Sequence, residues 1–191
     1  YVVVHEREAI RVPQNLSWEE AAAVPEAFLT AYDALFRQLD LKMGERLLIH
    51  AVGSGVGTAA VQLARAAGAT TIGTSRTPEK LARAAELGLE VGIDTGREDL
   101  AEAVNQATYG SGVHAVLDQV GGRLLEASLR VLALRGRVIV VGTTAGSKAE
   151  IDLGVLLRRR LQMIGTVLRT RPLEEKIALA REFSSSVLPL L

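Results

Sequence analysis

Ala51, Ser54 and Gly57 recur at intervals of three, with Gly53, Gly55 and Val56 between them. They follow the apolar run RLLIHAV (46–52) directly and open the alanine-rich stretch TAAVQLARAAG (58–68). A backbone that turns sharply here, unhindered by Cβ atoms, places helix-start N–H groups where a pyrophosphate can accept hydrogen bonds. The three-glycine spacing G-x-G-x-x-G is not met, because Thr58 stands where its last glycine would fall. The placement between strand and helix nevertheless identifies a nucleotide-binding turn, with Gly57 spaced for close helix–strand packing.

The next apolar run, TTIGTS (70–75), ends on Ser75 and Arg76 without a carboxylate. An acidic residue about 20 positions after the glycines accepts the ribose hydroxyls of NAD. Here Ser75, Arg76 and Lys80 offer charge-assisted hydrogen bonds to a 2′-phosphate instead. The cofactor expected from these residues is NADP(H).

Other chemistry-bearing residues are better explained structurally. His50 lies inside an apolar strand and reads as a core histidine, while His114 starts a strand and should meet solvent. Asp118, at a strand end, reads as a structural cap or as a crevice-facing group. Trp18 reads as packing, and the Arg158-Arg159-Arg160 run as a solvated face. With no cysteine and only His5, His50 and His114, the sequence offers no thiolate site and no histidine cluster for a metal.

These residues need a frame to position them. Strands are expected at 46–52, 70–75, 91–94, 114–120, 136–142 and 162–168. Helices are expected at 58–68, 78–88, 97–108, Arg123–Leu134 and 172–183. Continuous apolar strands alternating with helices predict an α/β fold, a Rossmann-like doubly wound parallel sheet covered on both faces. Residues 1–13 alternate like an edge strand, and SWEEAAAVPEAFLTAYDALF reads as helices interrupted near Pro25. The abrupt beginning and end point to a piece of a longer chain.

Composition sets wide bounds. The chain has 191 residues, with 22 basic and 22 acidic side chains balancing to zero net charge. That balance supplies no basic footprint for nucleic acid or for an anionic membrane surface. No apolar run is long enough for a transmembrane helix, and the expected address is cytoplasmic.

HAVGSGVGTAAVQLARAAGA, with LSWEEAAAVPEAFLTAYDAL, LDQVGG and GRVIVVG, resembles the zinc-independent quinone oxidoreductases of the medium-chain dehydrogenase/reductase superfamily. VLRTRPLEEK further resembles the subgroup that includes the p53-inducible quinone oxidoreductase. The likeness covers essentially the whole chain. It implies that residues 1–30 end a GroES-like catalytic domain and that 31–191 form the NADP(H)-binding Rossmann domain, without its return to the catalytic domain. It further implies Thr30 near the nicotinamide and its ribose, Gly55 and Val56 at the pyrophosphate, and Lys80 at the 2′-phosphate. Gly142 and Thr143 would line the nicotinamide side. Two positions depart from the family pattern. Asp94-Thr95 stands where an Asn-Tyr pair is common, and Gln119 where Ser or Cys is common. No proton donor is identifiable.

The implied activity is hydride transfer from NADPH to a quinone or enone, with a homodimer formed through the edge strand QMIGTVL. The alternatives are an enoyl-thioester reductase, possibly within a larger synthase, and a non-catalytic nucleotide- or RNA-binding module.

Overall fold

A computed structural model describes residues 2–191. Six strands form one parallel sheet: β1 (Arg46–Ile49), β2 (Thr70–Ser75), β3 (Val91–Asp94), β4 (Val113–Asp118), β5 (Leu132–Val140) and β6 (Gln162–Gly165). Their order is β3-β2-β1-β4-β5-β6. The chain therefore reverses direction across the sheet between β1 and β4, and the carboxyl ends of these strands open the crevice where doubly wound folds bind ligands.

Side chains alternate between the two faces. Leu47, Ile49, Ala115, Leu117 and Ile139 join one buried core, and Leu48, Val116 and Val138 the other. The first core is covered by the helical segment 18–38, by α3 (Gly55–Ala66) and α4 (Pro78–Glu86), and by α8 (Leu173–Ser186). The second is covered by α5 (Leu100–Ala107), α6 (Arg123–Val131) and α7 (Leu153–Arg159). Burying both faces explains why apolar side chains fill consecutive positions in β1 (Leu47–Ile49) and β4 (Ala115–Leu117).

Several boundaries differ from the sequence expectation. Residues 2–13 form no strand; a single turn of 3₁₀ helix spans Glu6–Glu8, and the segment is tied to α8 by Arg7–Glu174 (2.6 Å) and Lys176–Glu8 (3.6 Å). Alternation makes a strand only where a neighbouring edge accepts its hydrogen bonds, and here no strand lies alongside. The expected break near Pro25 is instead a change of helical register. The α-helix Trp18–Ala23, capped by the Ser17–Glu20 box, continues as π-helix over Val24–Phe28, as α-helix over Leu29–Tyr32 and as π-helix over Asp33–Gln38. The wider register accommodates Pro25, which lacks an N–H, without ending the helix. Trp18 is 79% exposed, so the packing role read for it does not hold.

Helix α6 stops at Val131, three residues early, because Leu132 is already extended and pairs with Val113. The β4–β5 register then slips, so that Ala115 faces Arg137. α7 has no counterpart in the sequence reading. Arg158 and Arg159 close it, and Arg159 reaches back to the carbonyls of Arg130 (2.8 Å) and Leu132 (2.7 Å).

Candidate functional site: the cleft at the carboxyl ends of β1, β2 and β4

A cleft of about 670 Å³ opens at this end of the sheet, walled by Gly53 and Ser54 after β1, Thr74–Thr77 and Lys80 around the end of β2, and Val120, Arg123 and Thr144 opposite. Ala51, Gly53 and Ser54 of the turn after β1 line it. Ala51 adopts a left-handed φ of 49°, which few side chains tolerate, and so reverses the chain. At Gly57 a Cβ would stand 2.6 Å from the Val52 carbonyl and 2.7 Å from that of Ala51, so only glycine lets the helix sit this close to the turn.

The donors at the start of α3 divide cleanly. Ser54 N–H bonds the Ala51 carbonyl, Gly57 N–H bonds Ser54 Oγ (3.0 Å), and Thr58 N–H bonds the Ser54 carbonyl. The N–H groups of Gly55 and Val56 have no acceptor among the described residues. Two adjacent unpaired donors at the positive end of a 12-residue helix are the donor set a pyrophosphate requires.

At the far side, β2 delivers Ser75, Arg76 and Lys80. The Ser75 hydroxyl accepts from Thr77 N–H (3.0 Å), bracing the turn after β2. Arg76 and Lys80 make no ion pair among the described residues and line the cleft. Asp94 pairs in register with Ser75, but its Oδ1 is held by Gly96 N–H (2.9 Å) and its Oδ2 lies 3.5 Å from Arg97. The residues present thus fit a phosphorylated dinucleotide: a pair of free amides at one end and unpaired cations at the other.

The remaining site expectations separate. Thr30 lies in α2 (Leu29–Tyr32), its hydroxyl donating to the Glu26 carbonyl (2.7 Å), and does not line this cleft. The segment before it reaches the turn through Ala27, 3.6 Å from where a Cβ on Gly55 would lie. Gly142 and Thr143 do not line the cleft, to which the same loop contributes Thr144 and Ala145. A Cβ on Gly142 would come within 2.9 Å of the Gln119 carbonyl. Arg123 was missed, yet its position carried a signal. A cation in the first turn of a helix opposes the helix dipole, and so calls for an anion nearby.

Beneath the turn lies a polar cluster. His50 is fully buried, with Nδ1 3.0 Å from Thr74 Oγ1 and Nε2 2.7 Å from Ser128 Oγ. Ser128 in turn donates to the Leu124 carbonyl (2.7 Å), so the chain of donors runs Thr74 to His50 to Ser128 with a neutral imidazole protonated at Nε2. Burial pushes the His50 pKa down to about 4, against an opposing pull from Asp118. Asp118 Oδ1 accepts from Val120 N–H (2.7 Å) and Gly121 N–H (2.9 Å), which makes it the cap of that turn, while Oδ2 has no partner among the described residues. His114 is part-buried rather than solvated, and its Nδ1 accepts from Arg46 N–H (2.9 Å). Among the described residues, no group of three or more His, Asp or Glu side chains is placed to hold a metal.

Comparison with known proteins accords with this geometry. The family model described as zinc-binding dehydrogenase matches residues 55–185. The quinone oxidoreductase of Pseudomonas aeruginosa is 35% identical over 170 residues, covering 89% of this chain and 51% of that protein. A highly reducing polyketide synthase of Aspergillus niger, azaB, is 43% identical over 136 residues, covering 70% of this chain and 5% of the synthase. The crystal structure of Escherichia coli quinone oxidoreductase complexed with NADPH superposes with a TM-score of 0.81 at 34% identity, over 92% of this chain and 55% of that one. The chain spans about half the length of the quinone oxidoreductases it matches. With its 3-2-1-4-5-6 sheet and serine-centred glycine turn, the chain belongs to the zinc-binding dehydrogenase family of the medium-chain dehydrogenase/reductase superfamily, on its quinone oxidoreductase-like side.

Proposed function

We propose that the cleft binds NADP(H), and that the chain is the cofactor-binding part of an NADPH-dependent reductase of quinones or activated alkenes. The observation that carries this reading is that the free Gly55 and Val56 amides open the helix leaving the Gly53–Ser54 turn, which lines the cleft together with the unpaired cations Arg76 and Lys80. The NADPH bound in the Escherichia coli relative supports it.

In this reading Gly55 and Val56 hold the pyrophosphate, and Ser75, Arg76 and Lys80 hold the 2′-phosphate. When bound, the nicotinamide supplies the hydride. Thr30, Gly142 and Thr143 belong to the nicotinamide end, and residues up to about 30 connect to a catalytic domain. This chain's contribution is orientation, since holding two reactants in register replaces a large entropic cost. Strand β6 is an edge with unpaired backbone groups, and Met163, Val167 and Leu157 are exposed around it. A homodimer joined there is part of the proposal, and light scattering checks it. So is a cytoplasmic address; among the described residues no helix is long and apolar enough to cross a membrane.

A second reading, an enoyl-thioester reductase, is favoured by the 43% identity to a polyketide synthase segment. NADPH consumption by the full-length protein with 1,2-naphthoquinone or with a crotonyl thioester separates them. Quinone turnover is expected. Turnover of the thioester alone favours the second reading, and turnover of neither overturns both.

A further inference from the structure

Gln119 joins the three loops that enclose the cleft. Its Nε2 donates to the His50 carbonyl at the end of β1 (3.0 Å), and its Oε1 accepts from the Ser54 hydroxyl in the turn (2.9 Å). Its main-chain carbonyl accepts from Thr144 Oγ1 (3.2 Å) in the loop after β5. The amide orientation follows from chemistry. A carbonyl only accepts, so the group facing His50 must be the NH₂, which leaves the carboxamide oxygen for Ser54.

That orientation fixes the hydrogen on Ser54. Its hydroxyl hydrogen is committed to Gln119, while its lone pair takes Gly57 N–H. Gly57 N–H is thereby removed from the donor set at the start of α3, which leaves the Gly55 and Val56 amides there for an anion. A short side chain at position 119 would leave Ser54 free to rotate its hydroxyl toward the cleft.

We propose that Gln119 is a positioning residue for the dinucleotide: by holding the Ser54 hydroxyl it locks the pyrophosphate turn into its binding geometry before the cofactor arrives. The inference rests on the NADP(H) reading of the cleft. Its effect is preorganisation, because a turn already ordered loses less freedom on binding.

NADPH affinity, read by fluorescence titration together with the thermal midpoint of the unliganded protein, tests this in three variants. Gln119→Met, which keeps the volume and removes both hydrogen bonds, should weaken NADPH about tenfold. Ser54→Ala should weaken it by a similar factor. The double variant should be no weaker than Ser54→Ala alone, because Gln119 acts through Ser54. Losses that multiply overturn the proposal.

Gln119→Glu gives an independent readout should the methionine variant not fold. Its ionised carboxylate still accepts from Ser54 but repels the His50 carbonyl and the pyrophosphate. Protonation restores a donor, so the ratio of variant to wild-type Kd should shrink as the pH is lowered from about 8 through the ordinary glutamate pKa of about 4.3. A ratio independent of pH assigns Gln119 a purely structural part. Failure of the wild-type chain to bind NADPH overturns the cofactor reading itself, whereas normal wild-type binding with unaffected variants overturns only the role of Gln119.

Discussion

The stem of Lys80 lies across Gly53: a Cβ built on Gly53 would sit 2.7 Å from Lys80 Cβ and 2.8 Å from its Cδ. The glycine therefore serves two ends of the cleft at once. It lets the turn pass, and it leaves the groove along which α4 delivers its cation. Gly53→Ala must push the base of Lys80 aside, which a flexible chain end could absorb but a Cβ cannot. NADPH affinity should fall about tenfold while NADH affinity falls less, because the displaced group is the one assigned to the 2′-phosphate. Titration with both cofactors checks this, and equal losses would detach Lys80 from that phosphate.

Arg123 faces the same cleft from the opposite wall, at the N-terminal end of α6. Its charge opposes the helix dipole, so removing it should leave the unliganded protein as stable or slightly more so. Cofactor affinity should nevertheless drop several-fold in Arg123→Ala. Calorimetric titration beside a thermal melt separates the two effects, and an unchanged affinity would place Arg123 outside the site.

Much of this site was legible in the residues because its parts are local. The glycine turn and the β2 end with Ser75, Arg76 and Lys80 each fall within a few residues, where steric and charge rules act directly. Six strands were found for the same reason, since runs such as Leu47–Ile49 are apolar on both faces. The missed features are long-range. Gln119 reaches Ser54 across 65 positions and Arg171 reaches Asp33 across 138, and no spacing rule connects either pair. The expected edge strand is not formed over residues 2–13 because pairing needs a neighbour. Trp18 showed the converse, an aromatic side chain that nothing in the structure covers.

The long-range pair Arg171–Asp33 should govern stability. Both guanidinium nitrogens lie 2.7 Å from the two carboxylate oxygens, and Asp33 is 1% exposed. Arg171→Met would remove both charge-assisted bonds and leave the buried carboxylate only the long contacts from Gln38 Nε2 (3.4 Å) and Thr166 Oγ1 (3.4 Å), costing about 3 kcal/mol. The thermal midpoint should fall by roughly 6–12 °C. A shift below about 2 °C would mean that Asp33 finds water or another partner.

Acid should weaken the fold through His50. Its folded pKa, depressed to about 4 by burial, lies below the ordinary value of 6.5. The unfolded chain therefore takes up a proton near neutrality that the native state refuses, so stability is full above pH 6.5 and declines toward pH 4. His114, lowered chiefly by burial, acts in the same sense, so the His50 share is read by difference. Between about pH 7 and pH 5 the thermal midpoint of the wild type should fall more steeply than that of His50→Gln. Parallel curves would show that the imidazole is not the titrating group.

The central claim is that this cleft is built for a phosphorylated dinucleotide. Titrating the purified chain with NADPH and NADH under identical low-salt conditions tests it most directly. Tighter binding of NADPH, with the preference lost when Arg76 and Lys80 are both replaced by alanine, is the predicted result. Equal affinities, or tighter NADH, would contradict it.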